Sequence, residues 1–214
     1  MSPAAVRQVN GRRVLLALAG VLLATVIPAV VLPTLVCRED APALEDYGAV
    51  PEFAFVDHLG QPASLASLTG YVTIVNFIFT RCESVCPVSS MKMERLQART
   101  ADLGAKIKLL SISVDPAYDT PERLATYAAR FKADPGRWRF LTGPVDAVRP
   151  LVEGPFMTSM MVVGQTPSGA PDIAHNEHFF LVDKHAHIRG AYDSTEVTRL
   201  DLLARHARYL SRQP

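Results

Sequence analysis

The sequence predicts an α/β domain in which helices flank a mixed central sheet. Residues 71–80, YVTIVNFIFT, are an almost unbroken run of β-branched and aromatic residues, which is typical of a strand covered on both faces. Residues 106–114, KIKLLSISV, form a second buried run. Residues 178–183 and 187–193 predict two antiparallel strands. With the helices described next, the order is strand–helix–strand–helix, then a hairpin and a final helix.

Two helix starts carry local signals. Pro87 suits the first turn of a helix after Cys86, because its missing N–H needs no partner there. The expected apolar stripe of this helix is Val88, Met91 and Leu96. Thr120 is a hydroxyl N-cap followed by Pro121 and an acid, which predicts a second helix. Its expected apolar side is Leu124, Tyr127, Ala128 and Phe131.

Shorter elements complete the predicted domain. Residues 53–65 alternate in polarity and contain Gly60 and Pro62, so we expect a short hairpin. Residues 138–141 predict a short strand, and a short helix is expected after Asp146. A final helix is expected from about Thr195, with Leu200, Leu203 and Tyr209 on its apolar side.

Composition narrows the functional classes. The 22 Lys and Arg residues almost balance the 21 Asp and Glu residues, giving a formal net charge of +1. Without a basic patch interleaved with aromatic residues, the sequence predicts no nucleic-acid partner. Hydrophobic residues make up 49% of the chain, and an N-terminal apolar block raises this share. The remaining tail of roughly 160 residues can form one compact domain with its own core.

The apolar block predicts a membrane anchor. Residues 14–36 contain no charged side chain, and about 20 such residues span a bilayer as a helix. Arginines precede the block, so we expect residues 1–13 in the cytoplasm and the rest of the chain outside it. The domain would then lie on the periplasmic side of the inner membrane as a single-pass protein. Residues 37–50 predict a linker, and residues 51–214 the exported domain.

Three alternatives to an anchor fit less well. A cleaved signal peptide has a shorter apolar core and a small-residue cleavage site. Arg12 and Arg13 could belong to a twin-arginine signal, but their neighbours fit poorly. Cys37 could be a lipidated terminus, but Val36 is bulky where lipoprotein signals place a small residue. We therefore interpret Cys37 as an incidental thiol at the membrane boundary.

Cys82 and Cys86 are the first candidate functional residues. They lie in TRCESVCP, between a predicted buried strand and a helix start, where the helix dipole is expected to lower a thiol pKa. Three intervening residues allow both sulfurs to converge on one helix turn. A structural disulfide, a redox dithiol and a metal clamp are all compatible with this pair, although so short a disulfide loop adds little stability. Two thiolates would select a soft ion such as Cu(I) or Zn.

Histidine is a common third ligand beside two thiolates. The chain contains six: His58, His175, His178, His185, His187 and His206. The simplest interpretation of His58, His206 and the pair His185 and His187 is that they lie outside the main metal site, although the extra histidines could form a second weak site. His175 and His178 are the candidates, because they follow a Gly-, Pro- and Ser-rich stretch, residues 164–174, that is expected to be flexible. Periodicity alone does not choose between them.

With these residues assembled, the chain resembles the SCO/SenC family of cytochrome c oxidase assembly proteins. The resemblance covers residues 53–209 and rests on FIFTRCESVCP, SISVDPAYDTPERLATYAARF, FLTG and a histidine five residues before an aromatic-Leu pair. Counting back from Phe180 gives His175. The resemblance therefore implies a thioredoxin-like fold and copper, as Cu(I) or Cu(II), bound by Cys82, Cys86 and His175. It further implies delivery to the binuclear copper centre of cytochrome c oxidase.

Some positions depart from the family pattern. Glu83 stands where members often have Pro, Ala174 stands where they often have Asp, and the hairpin turn 183–186 lacks the usual sequence. None of these changes removes a ligand. They leave room for a divergent paralogue with another copper target or a mainly redox task.

Two functional classes remain. The first is a copper metallochaperone, a binding protein without turnover, whose partners are the copper-receiving oxidase subunit and a copper carrier or thiol reductant. The second is an enzyme, a thiol–disulfide reductase that keeps the copper-site cysteines of the oxidase reduced. The spacing and His175 favour the chaperone, because a reductase needs no imidazole ligand.

Overall fold

The computed structural model describes residues 42–83, 85–166, 168–174 and 177–213. Residues from Pro42 onward form one compact unit. The expected anchor at 14–36, Cys37 and the candidate ligand His175 lie outside the described residues. Within the described ranges, no helix is long and apolar enough to cross a membrane.

The described elements follow the predicted order. The strands are β1 Ala54–Asp57, β2 Pro62–Ser64, β3 Val72–Ile78, β4 Ile107–Ser113, β5 Trp138–Thr142, β6 Met161–Gln165, β7 Pro171–Ala174, β8 His178–Val182 and β9 Ile188–Asp193. The α-helices are α1 Val85–Arg99, α2 Pro121–Arg130, α3 Val145–Glu153 and α4 Val197–Arg212. Short 3-10 helices occupy Leu65–Ser67 and Ala101–Lys106.

Seven strands form a mixed sheet in the order β2-β1-β5-β4-β3-β8-β9. β3, β4 and β5 are parallel, whereas β1, β2, β8 and β9 pair antiparallel with their neighbours. All seven residues of β3 are buried, which confirms the expected central strand. The α/β class and the mixed sheet are therefore confirmed.

Helices cover both faces of the sheet. On one face, Asn76 of β3 contacts Ser89 of α1, and the ring of Tyr127 from α2 lies 6.0 Å from that of Phe140 on β5. Asn76 and Phe140 share a row because both are in register with Ser111. On the opposite face, Phe77 packs against Phe156, which follows α3, at 5.3 Å between ring centroids. β3 therefore ends between two packed layers, at the point where the cysteine loop begins.

The predicted apolar stripe of α1 is wrong at two of its three positions. Leu96 is buried, but Val88 and Met91 are 42% and 46% exposed. The inward-facing residues are instead Cys86, Ser89, Ser90, Met93 and Leu96. Ser89 and Ser90 can be buried because each finds a hydrogen-bond partner, Asn76 and Tyr127 respectively. The buried face of this helix therefore combines apolar residues with two hydrogen-bonded serines.

The described part of the predicted linker packs against the domain, which corrects the expectation of a spacer over 37–50. Tyr47 donates its backbone N–H to Ile188, and the N–H of Ile188 donates to Gly48, both at 2.9 Å. Val50 is 2% exposed. The physical reason is that β9 is an edge strand, whose outer backbone groups gain partners from this segment.

The stretch expected to be flexible, residues 164–174, instead supplies most of a second sheet. β6 and β7 pair antiparallel, with Met161 opposite Ala174. We call this two-stranded sheet the ribbon. All five residues of β6 are exposed, and Ile173 is the buried residue of β7. Gly and Pro conceal the strand pattern in the sequence because they are read first as loop signals.

Candidate metal centre

The two cysteines lie between the end of β3 and the first turn of α1. The chain turns after β3, where the N–H of Cys82 donates to the carbonyl of Phe79 at 3.2 Å. The N–H of Cys86 then donates to Sγ of Cys82 at 3.3 Å. The N–H of Phe79 donates to Sγ of Cys86 at 3.4 Å. Each sulfur therefore accepts a backbone hydrogen bond that fixes it in this loop.

Both cysteines are buried thiols. Cys82 is 7% exposed and Cys86 is fully buried. Burial raises the pKa of Cys86 well above its ordinary value, and the hydrogen bond with Cys82 raises it further. The expected lowering of the thiol pKa by the helix start is therefore wrong for Cys86. The backbone N–H of Phe79 does lower this pKa, but desolvation of the thiolate outweighs it.

A buried hydrogen-bond chain joins α1 to the centre of the sheet. Nδ2 of Asn76 donates to the hydroxyl of Ser89 at 3.0 Å, while the hydroxyl of Ser111 donates to Oδ1 of Asn76 at 2.6 Å. Nε1 of Trp138 donates to Ser111 at 3.0 Å. The first turns of α1, which carry Cys86, are thereby tied to three neighbouring strands.

A second group of polar residues holds the loop from the other side. Asp119, which is fully buried, accepts from the backbone N–H of Thr80 at 3.1 Å, from its hydroxyl at 2.5 Å, and from Ser113 at 2.6 Å. Burial raises the pKa of Asp119 despite these hydrogen bonds. Arg81 donates through Nε and Nη2 to Asp115 at 2.9 and 2.5 Å. The loop before Cys82 is therefore bound to the segment that follows β4.

Sequence reasoning missed five polar residues that position the cysteine loop. They are Thr80, Arg81, Ser113, Asp115 and Asp119. All five lie within the segments that carry the family resemblance, and Arg81 directly precedes Cys82. The available signal was the presence of polar residues next to the end of a predicted buried strand. The contacts of Arg81 with Asp115 and of Thr80 with Asp119 could not be derived, because they join residues 34 and 39 positions apart.

The histidines are distributed over several elements. His58 is buried, and its Nδ1 accepts from the backbone N–H of Phe140 at 3.2 Å; burial lowers its pKa. His206 pairs with the hydroxyl of Tyr192 at 2.6 Å, so it is not the simple surface residue expected. His187 contacts Asp46 at 2.9 Å, and His185 is exposed. None of these four forms a group of potential metal ligands with other described His, Cys, Asp or Glu residues.

The two candidate histidines are close in sequence to the start of β8. His178 is the first residue of β8 and is half-buried, with its ring 6.4 Å from that of Phe180. His175 follows Ala174, the last residue of the ribbon, but itself lies outside the described residues. The structure therefore brings Cys82 and Cys86 together and leaves the choice of histidine as a prediction.

Two known bacterial proteins are similar to this chain in sequence. The chain is 32% identical over 152 residues to the SCO1 protein homolog of Bacillus subtilis, covering 71% of this chain and 77% of that protein. It is 30% identical over 143 residues to a protein of Stutzerimonas stutzeri provisionally named a copper-binding protein, covering 66% and 68%.

A solved structure extends the likeness to the fold. BsSco, described as a member of the Sco family of cytochrome c oxidase assembly proteins with a disulfide switch, superposes with a TM-score of 0.69 at 28% identity. The match covers 82% of this chain and 100% of that chain. The SCO1/SenC family model matches residues 42–211. The chain therefore belongs to the SCO1/SenC family and has its thioredoxin-like fold.

Proposed function

We propose that this protein is a copper metallochaperone that binds copper through Cys82, Cys86 and His175 and delivers it to the binuclear copper centre of cytochrome c oxidase. The observation that carries the proposal is the pair of buried sulfurs held in one loop of a SCO1/SenC chain. A relative named as copper-binding supports the choice of metal. The protein would hand on its cargo without turnover, so we do not propose an enzyme as the primary function.

The chemistry of the site suits Cu(I). Two thiolates are soft ligands that select Cu(I), and a neutral imidazole completes a three-coordinate set with a formal charge of about −1. The backbone N–H groups of Phe79 and Cys86 point at the sulfurs and stabilise negative charge there. Because the imidazole would also remain a ligand for Cu(II), His175 should matter most in that oxidation state.

Delivery implies a place in the cell. We expect residues 14–36 to anchor the chain and the domain to be exported. Copper would then be delivered to the oxidase outside the cytoplasm. We therefore place the protein in the inner membrane, with its domain on the periplasmic side. The length of the apolar block and its basic leading flank support this placement.

The test is a competitive Cu(I) titration of the full-length protein against a chromophoric chelator. Cys82→Ser and Cys86→Ser should each weaken binding by more than about 100-fold, because even outer-shell changes at metal sites cost about 10- to 100-fold. Cys37→Ser is the matched control and should leave the affinity unchanged. Retained Cu(I) affinity in either site variant would contradict the proposal. In cells, the same two variants should fail to support oxidase assembly.

A second function, thiol–disulfide reductase, is favoured by the disulfide switch described for BsSco. Cys82 and Cys86 would release two protons and two electrons as they form a disulfide, and a bound disulfide in the oxidase subunit would accept them. Oxidation also removes both thiolate ligands, so the oxidised form should not bind Cu(I). If reduction is the main task, His175→Ala should keep full function in cells, whereas either cysteine substitution should abolish it.

A further inference from the structure

A cleft of about 320 Å³ lies beside the cysteine loop, between that loop and α2. Thr80 and Arg81 of the cysteine loop line the cleft, together with Arg123 and Arg130 of α2. Tyr127 lines the cleft and pairs with Ser90 of α1 at 3.0 Å. The cleft thus adjoins both the residue before the first cysteine and the helix that carries the second.

The ring of Tyr118 contacts two arginines in this cleft. The guanidinium carbon of Arg81 lies 4.0 Å from the centroid of the Tyr118 ring, and that of Arg123 lies 3.8 Å from it. Asp115 fixes Arg81, and the carbonyl of Tyr118 accepts from Arg123 at 2.5 Å. Stacking on an aromatic ring leaves the edge of a guanidinium available to donate, so these groups are oriented before any ligand arrives.

The exposed charged side chains that line the cleft are unbalanced in sign. Asp115 neutralises Arg81. Arg123 and Arg130 form no ion pair within the part of the chain that the structure describes, and Glu122 is the acidic residue among the lining side chains. Two exposed guanidinium groups therefore face one carboxylate. The whole chain carries a net charge of only +1, so this excess is local.

We propose that this cleft binds acidic side chains of the protein that exchanges copper with this chain, a proposal that rests on the copper function above. Cys82 and Cys86 are almost inaccessible, so a partner must cover the surface around their loop before its own ligands can reach the metal. Arg81 directly precedes Cys82, which places the cleft inside that contact area. Guanidinium groups pair with carboxylates through two parallel hydrogen bonds, which fixes orientation as well as proximity.

A role at the rim of an interface also fits the exposure of these groups. Charged residues at a rim mainly accelerate encounter and select partners, and their effect falls with ionic strength. The cleft would therefore bring an acidic copper partner to the cysteine loop quickly and in one orientation. Metal affinity itself would stay with the sulfur ligands.

The test uses two synthetic peptides without cysteine, one containing eight glutamates and the other the same sequence with glutamines. Fluorescence anisotropy measures their binding to the full-length protein at low and high salt. The acidic peptide should bind at low salt, and the double variant R123Q/R130Q should weaken it about 5- to 20-fold. The control R199Q/R205Q, which removes two exposed arginines from α4, should stay within about twofold.

Two further measurements keep the outcomes distinct. The Cu(I) affinity of R123Q/R130Q should equal that of the unmodified protein. If the unmodified protein did not bind Cu(I), the proposed copper function would be wrong, while the peptide result would be unaffected. Circular dichroism checks that each variant is folded. Equal peptide binding by both double variants would overturn the proposal. Saturable binding of inorganic phosphate in the cleft that blocks the acidic peptide would overturn it in favour of a small anion.

Discussion

The two regions expected to supply copper ligands differ in how they are packed. The cysteine loop ends a fully buried strand and is held by Asn76, Asp119 and backbone N–H groups. The ribbon that leads to His175 exposes every residue of β6 and buries only Ile173 in β7. A two-stranded sheet with so little buried apolar surface is only marginally stable by itself. The cysteines are thus fixed in advance, whereas the histidine is carried by a segment that can open at low cost.

This difference suggests how copper is retained and released. A preformed pair of sulfurs binds without a large ordering cost, because its geometry exists before the metal arrives. A ligand on a weakly packed segment can leave first and open a coordination position for a partner's ligand. At the proposed site, exchange would therefore proceed by loss of the imidazole while both sulfurs stay in place.

Replacing one aspartate by alanine in each region should distinguish the two regions most strongly, through the change in the free energy of unfolding. Asp119→Ala leaves the N–H and hydroxyl of Thr80 and the hydroxyl of Ser113 without their buried acceptor, so we expect the free energy of unfolding to fall by about 2 kcal/mol. Asp172→Ala on the ribbon removes an exposed carboxylate and should change it by less than about 0.5 kcal/mol. Equilibrium denaturation measures both, and similar values for the two variants would contradict the contrast.

A second effect should appear in the pH dependence of copper binding. Because the pKa of Cys86 is raised, its proton is bound through the neutral range and must leave when Cu(I) binds. Affinity should therefore rise with pH, by about tenfold per pH unit for each proton released. In the metal-free protein the sign is opposite: the protonated thiol favours the fold below the unfolded pKa of about 8.5, and this contribution is lost as pH rises through the folded pKa.

The check is a Cu(I) titration between about pH 6 and about pH 8, with Cys86→Ser as the control that should show a shallower slope. A pH-independent affinity in the unmodified protein would mean that Cys86 is already a thiolate in the fold. It would then resemble an exposed helix-start cysteine rather than a buried one.

Much of the fold could be predicted because its signals are local. β3 and β4 are mostly apolar and almost fully buried, and the Thr120 cap was confirmed by its hydrogen bond from the N–H of Arg123 at 3.4 Å. Val88 and Met91 were misplaced because the buried face of α1 includes two serines, which a hydrophobicity pattern ignores. The ribbon was missed because its pairing depends on contacts between residues about ten positions apart rather than on its composition.

The candidate site could be predicted only in part. The spacing of Cys82 and Cys86 and the helix start identified the loop, since both are readable within one short segment. The raised pKa of Cys86 could not be predicted, because it follows from burial beneath residues distant in sequence. Asp119 and Arg81 acquire their positioning roles only when the chain after β4 returns to the cysteine loop.

X-ray absorption at the copper edge tests the central claim, a fixed sulfur pair joined by one separately carried histidine. The copper-loaded full-length protein should show two sulfur neighbours and one nitrogen neighbour. His175→Ala should lose the nitrogen and keep both sulfurs, whereas His178→Ala should retain all three. Loss of the nitrogen in His178→Ala but not in His175→Ala, or a spectrum without two sulfur neighbours in the unmodified protein, would contradict the account.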